Sequence, residues 1–176
     1  MGIYDLTATL LDGTPKQLSD YRGKVLLIVN VASGCGLTPQ YAGLEALYRR
    51  HQDKGLVVLG FPSNQFAQET GDAAQIQDFC TRNYGVSFPL FDKVEVNGAN
   101  THPLFAYLKA QLPGFLGSQD VKWNFTKFLV DWNGTPRRRY GPVEMPELIE
   151  GDIVAMLRDC PAPEQPTAEA SAPGGR

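Results

Sequence analysis

Cys35 is the residue of this chain best placed to do chemistry. It stands in the stretch Lys24 to Thr38, KVLLIVNVASGCGLT, where an apolar run from Val25 to Val31 gives way to small residues and then to the thiol. A buried strand that delivers one thiol to a loop before a helix suits cysteine redox chemistry. Dithiol exchange needs a C-x-x-C pair, and the run Cys35-Gly36-Leu37-Thr38 has no second cysteine. A lone thiolate suits attack on an electrophile, helped by the backbone N–H groups that follow it and by the start of the next helix. Ser33, Gly34 and Gly36 are small and leave its approach open. A buried structural cysteine is the competing reading.

The remaining reactive side chains add little by themselves. Cys80 falls on the apolar face of an expected helix, where a packed core thiol is the plain reading. Cys160 borders a Pro/Ala-rich tail and reads as incidental. His102 precedes Pro103 at a helix start and reads as structural, while His51 lies near a helix end, so no catalytic dyad emerges. Two histidines and three scattered cysteines lack metal-ligand spacing, and neither a metal nor a cofactor is expected.

The 176 residues suit one domain, with 43% hydrophobic and 20% charged residues, as in ordinary globular proteins. A net charge of −3 gives no electrostatic footprint for nucleic acid. The basic cluster Arg137-Arg138-Arg139 is expected to alternate sides of a strand as a solvated surface. The N-terminus lacks the basic and apolar regions of a signal peptide, and no apolar run approaches the ~20 residues of a membrane span. With an odd number of thiols, these features predict a cytoplasmic protein without a membrane anchor.

The elements that must position Cys35 follow from patterning. Tyr4 to Leu10 and Pro15 to Leu18 flank Asp12-Gly13 as a hairpin. Val25 to Ala32 reads as a central strand covered on both faces. Thr38 as N-cap and Pro39 at the first helical position open a helix with Tyr41, Leu44, Leu47 and Tyr48 on one face, ended by Gly55. Leu56 to Phe61 is a second buried strand. Asp72 and Gln75 form a capping box for a helix with the stripe Ile76, Phe79 and Cys80. Phe88 to Val96 reads as a short strand, and His102-Pro103 opens a helix to about Gln111. Phe125 to Val130 and Pro136 to Tyr140 are strands around Asn133-Gly134, and Met145 to Leu157 is the last helix. This order resembles the thioredoxin plan, an α/β fold with a central mixed β-sheet flanked by helices and an N-terminal β-hairpin. The domain is expected over residues 1–160, followed by a disordered tail over 161–176 that has no aromatic or branched aliphatic residue.

Three strings in order, NVASGCGLT, FPSNQF (Phe61 to Phe66) and WNFTKFLVD (Trp123 to Asp131), resemble the glutathione peroxidase family. The likeness runs from about Ile3 to Leu157. It implies a peroxidatic Cys35, where some members carry selenocysteine, assisted by a Gln, Trp123 and Asn124. The family commonly runs N-Q-F-x-x-Q-E, whereas this chain reads Asn64-Gln65-Phe66-Ala67-Gln68-Glu69, one residue shorter. Gln68 is assigned because it keeps the Gln-Glu pair, with Gln65 as the fallback. Neutral N–H donors of these types can hold a thiolate and a departing oxygen without supplying a rival nucleophile.

The segment around Cys80, FCTRNYGVSFPLFDKVEVNG, resembles thioredoxin-dependent members, in which a cysteine here is the resolving thiol. Ser63 stands where some relatives have a further cysteine, which leaves Cys80 as the natural partner. The resemblance implies a thiol peroxidase for H2O2 and organic hydroperoxides, with a Cys35 sulfenic acid resolved by Cys80 and recycled by thioredoxin. Alternatives are a glutathione-dependent peroxidase with a structural Cys80, or a peroxide sensor that passes oxidation to a partner protein. The short connection Leu112 to Lys122 resembles monomeric members. If Cys80 packs inward, Asp72 to Tyr84 must open before a disulfide can form, because the two Cα atoms must come within about 7 Å.

Overall fold

The computed structural model describes residues 1–161. A small antiparallel pair, β1 (Thr7–Thr9) with β2 (Pro15–Gln17), forms the expected hairpin, shorter than its sequence pattern. The main sheet contains β3 (Val25–Val31), β4 (Leu56–Pro62), β5 (Lys127–Val130) and β6 (Pro136–Tyr140) in the order β4-β3-β5-β6. β3 pairs parallel with β4 and antiparallel with β5, and β5 pairs antiparallel with β6. A mixed sheet flanked by helices is the thioredoxin-like arrangement that the element order predicts.

β3 is central and buried along its whole length, which explains its nearly continuous apolar sequence. Its side chains alternate between two cores. Val25, Leu27, Val29 and Val31 face α1 (Gln40–His51) and α4 (Pro146–Asp159), packing with Tyr41, Leu44, Leu47, Ile149 and Ile153. Leu26 and Ile28 face α3 (Pro103–Gln111), packing with Phe61, Phe91, Leu104, Phe105 and Leu108. Covered on both sides, β3 holds whatever follows its C-terminal end in a fixed place.

α2 (Ala73–Tyr84) starts with the capping box expected of D-x-x-Q. The Asp72 carboxylate accepts the Gln75 N–H and the Gln75 side chain accepts the Asp72 N–H, each at 2.8 Å. α2 fully buries only Ile76 and Cys80, and Phe79 packs partly. Its C-terminal end is tied to α1: Glu45 accepts from the Ser87 N–H and hydroxyl, and Arg49 donates to the Gly85 carbonyl. α2 is therefore a thinly packed helix, anchored more firmly behind than in front.

Some expectations need correction. Thr38 does not cap α1. Pro39 is the N-cap residue, because the Thr38 hydroxyl is used within the Cys35 turn. Phe88 to Val96 is not a strand; it forms only the isolated bridges Gly60–Leu90 and Leu10–Phe91, because its backbone bonds are divided between the Thr9–Leu11 segment and the end of β4. The three arginines are more than a solvated surface. Arg137 pairs with the buried Asp131 at 2.7 Å, and Arg139 donates to the carbonyls of Leu112, Gln119 and Asp120, fastening the loop before Trp123. His102 caps α3, its Nδ1 accepting from the Leu104 N–H. The tail from residue 162 onward, expected to be disordered, lies outside the described residues. Among the described residues no helix is long and apolar enough to cross a membrane.

Candidate active site

Cys35 lies in the turn that joins β3 to α1. Thr38 shapes this turn. Its Oγ1 accepts the Cys35 N–H at 3.0 Å and donates to the Ala32 carbonyl at 2.8 Å, while its N–H donates to the Cys35 carbonyl. Cys35 is buried but not sealed, with 7% of the residue exposed. Two N–H groups point at its sulfur: the Leu37 backbone at 3.3 Å and the Trp123 indole Nε1 at 3.2 Å. Both are placed to donate to the sulfur.

Trp123 comes from the loop before β5, the antiparallel neighbour of β3, and a buried polar residue places it there. Asn30 is the one polar residue of β3 and is wholly buried. Its Nδ2 donates to the Trp123 carbonyl at 3.2 Å, and its Oδ1 accepts the Thr126 N–H at 3.1 Å. Its backbone carbonyl accepts the Phe125 N–H at 2.7 Å, so all its polar groups serve this loop. The loop enters β5 through Phe125 at φ 64°, a left-handed conformation that costs a non-glycine residue about 1 kcal/mol. Phe66 packs tilted against the indole, with ring centroids 5.2 Å apart.

Asn124 is completely buried and, among the described residues, neither the nitrogen nor the oxygen of its amide has a hydrogen-bond partner. Buried amides are normally paired, so two orphan atoms next to the Trp123 donor mark polar capacity held in reserve.

The segment from residue 64 to 69 forms the opposite wall. The Gly34 N–H donates to the Gln68 carbonyl at 2.9 Å, and a Cβ on Gly34 would stand 2.9 Å from that same oxygen. Glycine is needed there by the close approach of two backbones. The Gln68 side chain is partly buried and makes no hydrogen bond among the described residues. Gln65, the fallback, is turned away: it accepts the N–H groups of Val96 and Asn97 and donates to the Asn97 carbonyl. The shortened loop closes through Ala67 at φ 56°.

Cys80 is wholly buried and is not bridged; all three cysteines are free. It shares a core with Cys35, Tyr41 and Ile76. Burial pushes its thiol up to about 11, with the Tyr41 hydroxyl pulling the other way and the Glu69 charge adding to the rise. Tyr41 is held among Tyr84, Phe88 and Phe125. Its hydroxyl faces the thiol without a hydrogen bond of good geometry. Cys160 is elsewhere. Its Sγ contacts the Gly23 carbonyl at 3.6 Å, before the N-terminal end of β3, whereas Cys35 follows the C-terminal end. Seven extended residues put roughly 20 Å between them.

The sequence reading missed Asn30, Thr38 as a turn residue, and the pairing of Ser33 with Glu69. Asn30 was visible as the lone polar residue in an apolar strand. The Ser33–Glu69 contact joins residues 36 positions apart and leaves no local trace.

A profile of the family described as glutathione peroxidase matches residues 3–109. A protein named hydroperoxy fatty acid reductase gpx1, from Synechocystis, is 57% identical over 161 residues, covering 88% of this chain and 95% of its own. A glutathione peroxidase-like peroxiredoxin gpx1 from Schizosaccharomyces pombe is 49% identical over 155 residues, covering 88% and 98%. The crystal structure of T. cruzi GPX1 superposes with a TM-score of 0.74 at 38% identity, covering 90% of this chain and 97% of that one. A thioredoxin family protein from Chlorobium tepidum, at 12% identity and a TM-score of 0.66 over 86% and 92%, shares the fold alone. With the profile spanning more than half of the chain and a relative more than half identical over nearly all of it, the chain belongs to the glutathione peroxidase family and is a peroxidase.

Proposed function

We propose that Cys35 performs the peroxide chemistry and Cys80 resolves it. The Cys35 thiolate attacks one oxygen of a hydroperoxide, ROOH, and the O–O bond breaks. The sulfur keeps that oxygen as a sulfenic acid, and the other oxygen leaves as RO⁻ and takes a proton to give ROH. The observation that carries this reading is the sulfur itself, with two N–H donors on it and no second thiol bonded to it. Trp123 and Leu37 hold the thiolate. Asn124, with an unpaired amide, and Gln68, on the loop that meets Gly34, are the donors for the departing oxygen.

In the second step Cys80 S–H condenses with Cys35 S–OH, an S–S bond forms and water leaves. Reduced thioredoxin returns both thiols and is itself oxidised. Cys80 is buried and held well above the ordinary thiol range, so this step requires α2 to open. The thin packing of α2 supports such an opening. Substrates are H2O2 and organic hydroperoxides, in keeping with the relative named for hydroperoxy fatty acids, and several relatives carry peroxiredoxin names. We take the chain to act as a cytoplasmic monomer.

Replacing Cys80 with Ser tests the scheme. Thioredoxin-supported turnover is expected to collapse, and peroxide-treated wild type is expected to show a Cys35–Cys80 bridge by mass spectrometry. Undiminished thioredoxin turnover in Cys80→Ser refutes the resolving role. Vigorous glutathione-supported turnover in both proteins points instead to glutathione as reductant.

A further inference from the structure

One buried carboxylate joins the Cys35 turn to the approach of α2. The Ser33 hydroxyl, two residues before Cys35, donates to Glu69 Oε1, and Glu69 lies three residues before Asp72, the N-cap of α2. Beside this contact runs the Gly34 N–H to Gln68 carbonyl bond at 2.9 Å. The Glu69 N–H is in turn held by Asn64 Oδ1 at 3.0 Å.

The environment of Glu69 is poor for a carboxylate. The residue is wholly buried, and its Oε2 has no hydrogen-bond partner among the described residues. Burial raises the Glu69 carboxyl above its ordinary range, and neither Ser33 nor the Lys93 charge fully repays that desolvation. When residues 69 to 80 open, water solvates both carboxylate oxygens, and that gain offsets the lost burial of Ile76 and Cys80. The contact therefore holds the closed form only weakly.

We propose that Ser33 and Glu69 form a latch, in which a poorly solvated carboxylate keeps the Cys35 turn and the front of α2 together while leaving the helix poised to open. Glu69 is thus a positioning residue that acts through Ser33 and α2. Its value to turnover rests on Cys80 being the resolving thiol.

The test compares Ser33→Ala and Glu69→Gln by hydrogen exchange of the reduced protein at pH 8, read over residues 73–80. Ser33→Ala removes the one side-chain donor and leaves the charge, so exchange is expected to be roughly tenfold faster. Glu69→Gln keeps an acceptor for Ser33 and removes the charge, so exchange is expected to be several-fold slower. A residue that merely supports the fold would loosen α2 in both variants. Opposite shifts support the latch, and any other pattern overturns it. Mass spectrometry of oxidised wild type tests the resolving role separately: if no Cys35–Cys80 bridge forms, that role fails, and the exchange comparison still decides the latch.

Discussion

Trp123→Phe isolates the contribution of one donor to the reactive sulfur. The indole Nε1 stands 3.2 Å from Cys35 Sγ, and phenylalanine removes that N–H while keeping an aromatic ring against Phe66. A hydrogen bond to a charged acceptor contributes about 1.5–3 kcal/mol. Trp123 is 37% exposed, so water can partly replace the lost donor, and the Leu37 N–H at 3.3 Å remains. The loss is then about 1–2 kcal/mol, which at 1.36 kcal/mol per decade is roughly a 5–30-fold slower oxidation of Cys35. The assay is single-turnover oxidation by H2O2 at neutral pH, quenched by alkylation of the remaining thiol and counted by mass spectrometry. The same factor is expected with a small organic hydroperoxide, because the donor acts on the sulfur and not on the oxidant. A rate constant within twofold of wild type would refute the assignment of Trp123 as a thiolate donor.

Thr38→Val keeps the shape of the side chain but orphans the Cys35 N–H and the Ala32 carbonyl in a buried turn; chemical denaturation is expected to show a loss of about 2 kcal/mol or more, with slower Cys35 oxidation. Ala67→Gly relieves the left-handed conformation of the shortened loop and should raise stability by up to about 1 kcal/mol while leaving turnover within twofold. Lys127 is fully buried, and burial lowers it from 10.5 to about 8. The unfolded chain therefore binds more protons than the folded one above about pH 8, so stability rises with pH from there. Cys80, raised from 9.0 to about 11, pulls the other way once the unfolded thiol ionises near pH 9. Urea unfolding from pH 7 to 9 should thus show increasing stability between pH 8 and 9 in wild type and none in Lys127→Met.

Much of the fold was legible because its signals are local. The all-apolar β3, the capping box at Asp72 and His102-Pro103 at the start of α3 each declare themselves within a few residues. Phe88 to Val96 misled because its mixed apolar composition suits a short strand, while its backbone bonds to two different neighbours and forms bridges only at Leu90 and Phe91. Thr38 misled because a threonine before Pro-x suits an N-cap, yet the turn that carries Cys35 has the stronger claim on its hydroxyl.

Residue order alone was enough to single out Cys35 as the candidate thiol, to place its strand and turn, to show that a C-x-x-C partner is missing and, through three ordered motifs, to point to the family. These are properties of residue type and short spacing, which survive in one dimension. Only the tertiary structure decided which residues meet. It put the Trp123 indole on a sulfur 88 positions away, sent Gln65 to the loop at Asn97, and left the Asn124 amide unpaired. It also showed Cys80 sealed in the core beside Tyr41 and joined Ser33 to Glu69. Such contacts depend on how β3, β5 and the segment before α2 pack together, and packing over long separations has no signature in a single chain read from end to end.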